Sequence, residues 1–448
     1  MSGKKFKKGG TGTFPAVILA AGKGSRMGAD IPKPLIKLLG LTLLERTLLT
    51  CREAGISEFY VVVGYKKREV VKHIKELMKK YEMSIKVIEN PEWKKGNGTS
   101  VLAVLKYLKS PFFLLMCDHV FDPEIVKRFV ETAKFSDTCL LAVDKKIDRV
   151  VDSEEATKVK MEDGIIVSIG KELEDFDAVD MGLFFCQPCI FDAIEKSVGK
   201  GDASLIGGIK ILAEEKKIKG IEAEGKFWID ADTKRTLKVA EKLILSSLIK
   251  DEDGYISRYI NRKISTRISR VICNFNISPN VITIVSFLLS IMAALLFIHT
   301  QYIYILLGGI ITQVASIIDG CDGEIARLKF QSSPFGAWLD TVLDRYADVI
   351  LTASITYACW LIYENVITWV IGIAAITGFI LTSYTRKEYV LRYNKSWSDD
   401  IMSKLSRRDL RLFGIFVGAV LFHPLEAIAI LAIISHVCII WSFIKEKH

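Results

Sequence analysis

Six apolar stretches follow one another in the second half of this 448-residue chain. A helix needs about 20 predominantly apolar residues to cross the hydrocarbon core of a bilayer. Only helices and closed barrels satisfy every backbone polar group inside a membrane. We therefore predict an all-α integral-membrane domain with six transmembrane helices, the fifth of them short for a span: 281–299, 302–325, 335–361, 366–385, 410–422 and 425–444.

The first half of the chain has a different character. Short β-rich runs such as 59–63 and 112–116 alternate there with helical patterns, which predicts parallel βαβ units. A hairpin pattern around 162–164 adds antiparallel strands on one side. The predicted fold is an α/β Rossmann-like domain with a mixed sheet.

The composition changes near residue 250, and this change sets the predicted boundaries. In the linker, Ile260, Ile264 and Ile268 alternate with arginines, which predicts a basic amphipathic juxtamembrane helix in the headgroup plane; a solvated charged linker is the alternative. The predicted segments are a flexible basic tail at 1–13, the α/β domain at 14–240, the linker at 241–278 and the membrane domain at 279–448.

The net charge of +9 is concentrated beside the apolar stretches, at 258–270 and 386–411. Positive-inside anchoring to a lipid bilayer explains this placement, so we predict no nucleic-acid partner. The same bias places both termini and the α/β domain on the cytoplasmic side. Nine cysteines without disulfide-framework spacing indicate a reducing compartment, and we interpret Cys186 and Cys189 as packing residues.

A glycine-rich loop follows the first predicted strand. It reads Leu19-Ala20-Ala21-Gly22-Lys23-Gly24-Ser25-Arg26-Met27-Gly28, and Pro32-Lys33-Pro34-Leu35 comes soon after. Glycines let the backbone approach a phosphate chain, and the basic side chains can neutralise its charge. The string resembles the signature of the nucleotidyltransferases that make NDP-sugars and CDP-alcohols. That resemblance implies nucleotide binding by the loop and catalytic roles for Arg26 and Lys33.

The same family holds Mg²⁺, with Mn²⁺ as an alternative, on a carboxylate pair. Here the resemblance implies Asp118 together with Asp230 or Asp232, although a strand-end Asp alone would be read as a helix N-cap. It further implies base recognition at 96–100, which includes Gly98 and Thr99. Asp180 and Gly182 resemble the family's alcohol contact, and Lys158 is either an acceptor-phosphate ligand or a surface lysine.

Four aspartates lie within two of the predicted spans. Each charged Asp at the bilayer centre costs about 2.5–3.5 kcal/mol, so these side chains must face a polar cavity or a cation. The i, i+3 spacing puts Asp319 and Asp322 on one helix face, and the i, i+4 spacing does the same for Asp340 and Asp344. Oxygen ligands favour Mg²⁺, Mn²⁺ or Ca²⁺ over zinc. An ion pathway of a transporter is the alternative interpretation.

The spacing of these residues resembles the signature of the CDP-alcohol phosphotransferases at every position. The residues that carry it are Asp319, Asp322, Gly323, Ala326, Arg327, Gly336, Asp340 and Asp344. The resemblance implies two metal ions on the diphosphate of a CDP-alcohol, with Asp344 as ligand or general base. It also implies nucleotide binding by Gly323, Ala326, Arg327 and Gly336, and the family commonly forms homodimers.

The fusion of the two domains narrows the substrate. It resembles the bifunctional enzymes of di-myo-inositol phosphate synthesis, which implies CTP, a CDP-alcohol and inositol phosphates as substrates. A phosphorylated acceptor needs a basic pocket, for which the candidates are Ser383, Arg386, Lys387, Arg407, Arg408 and Arg411; positive-inside anchoring is the alternative role. A phospholipid synthase, or a phosphotransferase with a degenerate regulatory domain, are the competing functions.

Overall fold

The computed structural model describes residues 14–28, 30–147, 156–223, 225, 227–250, 253–394 and 401–446, so the predicted tail at 1–13 lies outside the described residues. The chain divides into two compact units, Met1–Ile244 and Leu245–His448. All nine cysteines are free thiols. Cys186 is buried at the end of a strand, and the Sγ of Cys189 lies 3.9 Å from that of Cys139.

The first unit is built on a mixed nine-stranded sheet in the order β5-β4-β1-β6-β11-β8-β12-β10-β9. Its strands are β1 (Ala16–Ala20), β4 (Glu58–Val63), β5 (Ser84–Glu89), β6 (Phe112–Met116), β8 (Cys139–Asp144), β9 (Lys158–Glu162), β10 (Ile165–Gly170), β11 (Ala178–Cys186) and β12 (Ile218–Glu222). Two small antiparallel pairs complete the strands: β2 (Lys37–Leu38) with β3 (Leu41–Thr42), and β7 (His119–Phe121) with β13 (Trp228–Asp230).

Four strands at one side of the sheet, β5, β4, β1 and β6, are parallel. Every residue of β1 is buried, as expected of a strand that helices cover on both faces. Strand β11 runs antiparallel to β6 and β8, and the β9–β10 hairpin lies at the other edge, so the mixed sheet is confirmed. The carboxyl ends of β1 and β6 therefore lie side by side, where α/β sheets place ligands.

Among the described residues, seven α-helices accompany these strands. Thr42 and Glu45 form a capping box at the start of the first helix, since each side chain accepts a hydrogen bond from the other residue's N–H. The helices are α1 (Leu43–Glu53), α2 (Lys67–Tyr81), α3 (Asn97–Leu102), α4 (Pro123–Ala133), α5 (Cys189–Gly199), α6 (Leu205–Glu214) and α7 (Lys234–Ser247).

The second unit is helical throughout its described residues. A π-helical turn at Ser257–Asn261 leads into α8 (Arg262–Ile272). The remaining helices are α9 (Pro279–Phe297), α10 (Tyr302–Leu328), α11 (Pro334–Tyr363), α12 (Val366–Tyr393), α13 (Ile401–Leu405), α14 (Arg408–Val420) and α15 (Pro424–Glu446).

Five of these helices, α9 to α12 and α15, are long and apolar enough to cross a membrane. The span predicted at 410–422 corresponds to α14, which has 13 residues and is as short as the sequence indicated. At about 1.5 Å per residue it extends about 20 Å, short of the roughly 30 Å hydrocarbon core. The second unit is thus a membrane-integral domain with five candidate spans among its described residues, and the sixth predicted span is not confirmed.

Helix α8 turns its polar face towards the rest of the unit. Ser265 and Ser269 are fully buried, and α8 packs on α10. Ile260 and Ile264 are 37% and 42% exposed, so the apolar side predicted from the sequence faces outward. Such a helix is suited to an interface where its outer side meets apolar lipid.

Candidate active sites

The glycine-rich loop turns sharply after β1. Ser25–Met27 forms one 3-10 turn between Gly24 and Gly28, whose φ angles of 69° and 64° favour glycine. A Cβ on Gly24 would lie 3.0 Å from the Cβ of Lys33, so this glycine also lets Lys33 pack against the loop. Leu19 and Ala20 end β1, and the ammonium of Lys23 lies 5.7 Å from the centre of the Tyr65 ring.

Pairing between β7 and β13 brings two distant aspartates together. Asp230 stands opposite His119, and the N–H of Ala231 donates to the carbonyl of Asp118 at 2.9 Å. Ligand atoms of Asp118, His119 and Asp230 all lie within 4.8 Å of one another. Lys33 contacts Asp118 and Asp232 and lies 4.0 Å from Asp230. Asp232 also accepts from Arg26 at 3.1 Å, so it faces the basic side chains.

The charges of this cluster stabilise one another. Burial raises the pKa of Asp118, but the Lys33 ammonium and the His119 ring outweigh it, and the pKa lies below its ordinary value. Burial lowers the pKa of His119, yet the surrounding carboxylates, Asp230 first, raise it to about 9. Nδ1 of His119 therefore donates to Asp118, at 2.9 Å.

The cluster fits a divalent cation. Oδ1 of Asp230 is buried and accepts no hydrogen bond from the described residues, so it is an acceptor aimed at the site. The carboxylates of Asp118 and Asp230 are the oxygen donors of the cluster. Carboxylate oxygens are the donors that Mg²⁺ prefers.

A cavity of about 340 Å³ opens beside this cluster, and its lining includes Asn97, His119, Thr157, Lys171, Asp180, Gly182 and Trp228. Gly182 has a φ of 74°, and a Cβ there would lie 2.5 Å from Cδ2 of His119. Gly182 thus makes room for the imidazole. Burial raises the pKa of Asp180 to about 6, against the opposing effects of the Gly182 N–H and of His119.

Sequence reasoning did not single out His119 and Trp228, whose rings stack with centroids 6.4 Å apart. The position of His119 directly after Asp118 was the available signal. Lys158 is not part of the cavity lining; its ammonium lies over the ring of Phe176, at 5.0 Å. In the predicted base-recognition loop, Gly98 donates to the carbonyl of Ala203 and Thr99 is buried. Asn97 is the loop residue that reaches the cavity.

The second cluster lies within the membrane unit, where α10 and α11 bring their aspartates together. Carboxylate oxygens of Asp319, Asp340 and Asp344 lie within 4.8 Å of one another. Asp322 accepts from Oγ1 of Thr283 at 2.6 Å, and Asp319 accepts from Oγ of Ser286 at 3.2 Å. An oxygen-only donor set of this kind fits Mg²⁺ or Mn²⁺. Thr283 and Ser286 both lie on α9, and their contacts with the aspartates were not predicted.

Beside this cluster is a cavity of about 280 Å³. Gly323 and Gly336 lie in its lining, where the absence of a side chain keeps space open. A Cβ on Gly336 would lie 3.0 Å from Oδ1 of Asn280. Asp322 and Asp340 both line it, so the carboxylates and the cavity are continuous. Its lining brings together the four predicted nucleotide-binding residues, Gly323, Ala326, Arg327 and Gly336, with Lys250, Asn280, Thr283 and Gln331.

Basic side chains approach the same carboxylates from another direction. Nη1 of Arg408 lies 2.7 Å from Asp344 and 3.1 Å from Asp319. Arg345, which sequence reasoning missed although it directly follows Asp344, donates to Oγ of Ser383 at 2.7 Å. Lys387 donates to Oγ1 of Thr341 at 2.9 Å, on the helix turn between Asp340 and Asp344.

Other members of the predicted basic set make contacts away from the aspartate cluster. Arg386 donates to Oγ of Ser406 at 3.3 Å. Arg411 is buried, donates to the carbonyl of Phe379 at 2.9 Å and lies over the ring of that residue. Ser383, Lys387 and Arg408 are therefore the predicted residues that the structure brings to this side of the cluster, together with Arg345.

Family models describe both units. Residues 16–202 match the MobA-like NTP transferase domain, and residues 276–442 match CDP-alcohol phosphatidyltransferase. The chain is 30% identical to an archaetidylinositol phosphate synthase of Pyrococcus horikoshii over 182 residues, which are 40% of this chain and 89% of that protein.

Two relatives match across both units. A bifunctional IPC transferase and DIPP synthase of Aquifex aeolicus is 34% identical over 95% of this chain and 96% of its own length. A protein of the same name from Rubrobacter xylanophilus is 35% identical over 91% of each chain. The similarity covers both carboxylate clusters and the segments that build them. This chain therefore belongs to the family of the bifunctional IPC transferase and DIPP synthases, with a nucleotidyltransferase domain and a CDP-alcohol phosphotransferase domain.

Proposed function

We propose that the chain catalyses two successive reactions. In the first, CTP and inositol 1-phosphate give CDP-inositol and pyrophosphate. In the second, phosphoinositol passes from CDP-inositol to inositol 1-phosphate, which releases CMP and gives di-myo-inositol phosphate phosphate. The observation that carries the proposal is the presence, in one chain, of two carboxylate clusters that each adjoin a cavity and basic side chains.

The first reaction belongs to the α/β unit. A phosphate oxygen of inositol 1-phosphate attacks the α-phosphorus of CTP, and the bond to pyrophosphate breaks. We assign Lys33, Arg26 and the loop from Leu19 to Gly24 to the triphosphate. Asp180 and His119 face the cavity where the inositol ring would lie. Asp118 and Asp230 are the proposed metal ligands, with Asp232 held by basic side chains instead.

The second reaction belongs to the membrane unit. We place the nucleotide of CDP-inositol in the cavity lined by Gly323, Arg327 and Gly336. A hydroxyl of the acceptor attacks the phosphorus that bears inositol, and the bond to CMP breaks. Asp344 lies outside the lining of that cavity and next to Arg408, so we assign it to accept the hydroxyl proton.

Divalent cations complete both proposed sites. Mg²⁺, or Mn²⁺, bound by Asp118 and Asp230 and by the intramembrane aspartates would neutralise phosphate charge and orient the reacting groups. We further propose that both termini and the α/β unit lie on the cytoplasmic side. This placement requires an even number of crossings, so we propose that α14 crosses the membrane together with the five long helices, at a place where the bilayer thins around the short helix. We also propose that the protein is a homodimer through its membrane unit.

Arg345, Lys387 and Arg408 support a phosphorylated, water-soluble acceptor. Guanidinium groups are the preferred partners of phosphate, and two of them lie beside Asp344. Lipid synthesis is the second candidate, favoured by the similarity of the membrane unit to archaetidylinositol phosphate synthase. A degenerate, regulatory α/β unit is disfavoured because its glycine loop, Lys33 and both aspartates are present and assembled.

The test is to incubate detergent-solubilised protein with CTP, Mg²⁺ and inositol 1-phosphate and to follow the aqueous phase by phosphorus NMR. We expect CDP-inositol to appear and then to give way to a phosphodiester and CMP. CDP-inositol that accumulates unused would overturn the soluble acceptor in favour of a lipid. No reaction at all would overturn the assignment of inositol.

Two variants separate the reactions. Asp118→Asn should lower CDP-inositol formation at least about 100-fold while transfer from supplied CDP-inositol continues, because only the first cluster loses a carboxylate. Asp340→Asn should do the reverse. Equal loss of both activities in either variant would contradict two independent sites.

A further inference from the structure

Asp348 is a buried carboxylate to which neither proposed reaction assigns a role. It lies on α11 one helical turn after Asp344, and its side chain is 3% exposed. Three guanidinium groups surround it: Arg345 Nη1 at 2.8 Å, Arg408 Nε at 3.1 Å and Arg411 Nη1 at 3.5 Å. A carboxylate this deeply buried persists only when such partners compensate its charge.

Two of these arginines, Arg345 and Arg408, also direct a guanidinium nitrogen towards Asp344 in the proposed reaction site. The side chains of Arg345 and Arg408 are 25% and 16% exposed, whereas that of Arg411 is 3% exposed. Arg408 uses Nε for Asp348 and keeps Nη1 near Asp319 and Asp344. Arg345 likewise donates from Nη1 to Asp348 and Ser383, and its Nη2 lies 3.5 Å from Asp344.

The charge of Asp348 sets where these groups point. The guanidinium groups can bind a phosphate-bearing acceptor only if they do not form all of their hydrogen bonds with Asp319 and Asp344. Asp348 holds one edge of each guanidinium, so that the opposite edge faces Asp344, where the phosphate of the acceptor would arrive. Two guanidinium groups repel each other, and the shared carboxylate holds both in place.

We propose that Asp348 is a positioning residue for the acceptor phosphate in the second reaction: it anchors Arg345 and Arg408 so that they recognise the phosphate of the acceptor, inositol 1-phosphate. The inference rests on the proposed function. It concerns recognition of the acceptor alone, because Asp348 is absent from the lining of the cavity that we assign to the nucleotide.

The test uses Asp348→Asn in the full chain, with CDP-inositol and inositol 1-phosphate supplied to the detergent-solubilised enzyme. Loss of an anchor for charge-assisted hydrogen bonds predicts a KM for inositol 1-phosphate that is higher by about tenfold or more. The KM for CDP-inositol should stay within about twofold, because the nucleotide contacts are unchanged. Equilibrium binding of inositol 1-phosphate, measured by calorimetry without CDP-inositol, should weaken by a similar factor.

Asp409→Asn is the matched control. Asp409 is the neighbour of Arg408 on α14, but it accepts a hydrogen bond from the N–H of Ser257 at 2.7 Å, at the start of the π-helical turn Ser257–Asn261. We expect its two KM values to match those of the wild type. Asp348→Glu keeps the charge and moves the carboxylate, so its acceptor KM should lie between those of the wild type and Asp348→Asn, with a melting temperature close to that of the wild type.

The possible outcomes distinguish failure of the inference about Asp348 from failure of the proposed function. Wild-type transfer to inositol 1-phosphate, together with unchanged acceptor KM in folded Asp348→Asn or Asp348→Glu, would overturn the inference alone. Equal increases in both KM values, or instability of Asp348→Asn with wild-type kinetics for Asp348→Glu, would show a purely structural role and overturn it as well. No transfer by the wild type would overturn the proposed function and the inference with it.

Discussion

At the scale of single residues, each carboxylate cluster holds a basic side chain of the protein itself. Lys33 contacts Asp118 and Asp232, and Arg408 contacts Asp319 and Asp344. These cations neutralise carboxylates that would otherwise repel one another in a partly buried site. A metal ion bound at either cluster would compete with these cations, and the displaced basic side chain would then be available to bind phosphate.

This competition predicts the effect of Lys33→Met. We expect the first cluster to bind Mn²⁺ at least about tenfold more tightly without nucleotide, because one competing charge near the carboxylates is gone. CDP-inositol formation should fall at least about 100-fold, since Lys33 no longer binds the triphosphate. Titration of the protein with Mn²⁺, followed by electron paramagnetic resonance, measures the affinity for Mn²⁺.

The control is Arg26→Met, because the side chain of Arg26 is 56% exposed and contacts Asp232, which lies outside the cluster of Asp118, His119 and Asp230. Its effect on Mn²⁺ binding should be within about threefold, because surface charges are screened. Weaker Mn²⁺ binding in Lys33→Met would contradict the competition.

Gly182 provides a second prediction at this scale. In Gly182→Ala the new methyl group would meet the ring of His119, in addition to straining a φ of 74°. Gly164→Ala is the matched control, because its φ is 79° and a Cβ added there would meet no atom within 4 Å. Both variants should lose about 1 kcal/mol of stability from the backbone. Gly182→Ala alone should also lower the rate of CDP-inositol formation, by about tenfold or more, because His119 is displaced.

Comparison of initial rates and urea unfolding for the two glycine variants measures both effects. Equal activity in the two would show that the position of His119 is immaterial to the first reaction.

At the scale of elements, a buried ion-pair network ties α8 to the catalytic helix α10. Arg262 donates to Glu324 at 2.9 Å and to the carbonyl of Gly320 at 3.0 Å, and it forms a two-point contact with Asp253. Glu324 is fully buried and also accepts from Ser265 at 2.5 Å. Gly320 lies between Asp319 and Asp322, so the network supports the backbone that carries these aspartates.

Removal of one partner should be costly. We expect Arg262→Leu to destabilise the membrane unit by about 3–5 kcal/mol, because Glu324 keeps a buried charge without its guanidinium partner. A lower apparent melting temperature in detergent is the measurement, and Arg258→Leu, at an exposed position one turn earlier, is the control. Replacement of Glu324 by Leu in the same chain should restore part of the loss. Equal melting of the Arg262 and Arg258 variants would contradict the role of the network.

At the scale of the whole molecule, the distribution of charge predicts an orientation. Basic residues flank the ends of α10, α12 and α15, whereas the turn at 299–301 carries no Lys or Arg. We expect Gln301→Cys to react with a membrane-impermeant maleimide on intact cells, and Lys445→Cys to react only after the membrane is opened. The unmodified chain, in which eight of nine cysteines are buried, supplies the background. The reverse labelling pattern would overturn the cytoplasmic assignment.

Some features of the molecule depend on local periodicity, and the sequence alone determined them. The parallel strands, the five long spans and the placement of each aspartate pair on one helix face all follow from spacings of two, three or four residues along the chain. The short fifth stretch, predicted at 410–422, is likewise a helix of 13 residues, Arg408–Val420, which begins and ends two residues earlier than predicted.

Other features depend on contacts between residues far apart in the sequence, and only the tertiary structure decided them. Asp230 rather than Asp232 lies in the cluster with Asp118 because β13 pairs with β7 in one register. Arg345 and Arg408 meet at Asp348 because α14, which packs on α10 and α15, places its first residue, Arg408, beside α11, 60 residues from Asp348 along the chain. No repeat in the sequence encodes such a meeting. It follows from the burial of charge, which stabilises the fold only when opposite charges from separate helices arrive at the same place.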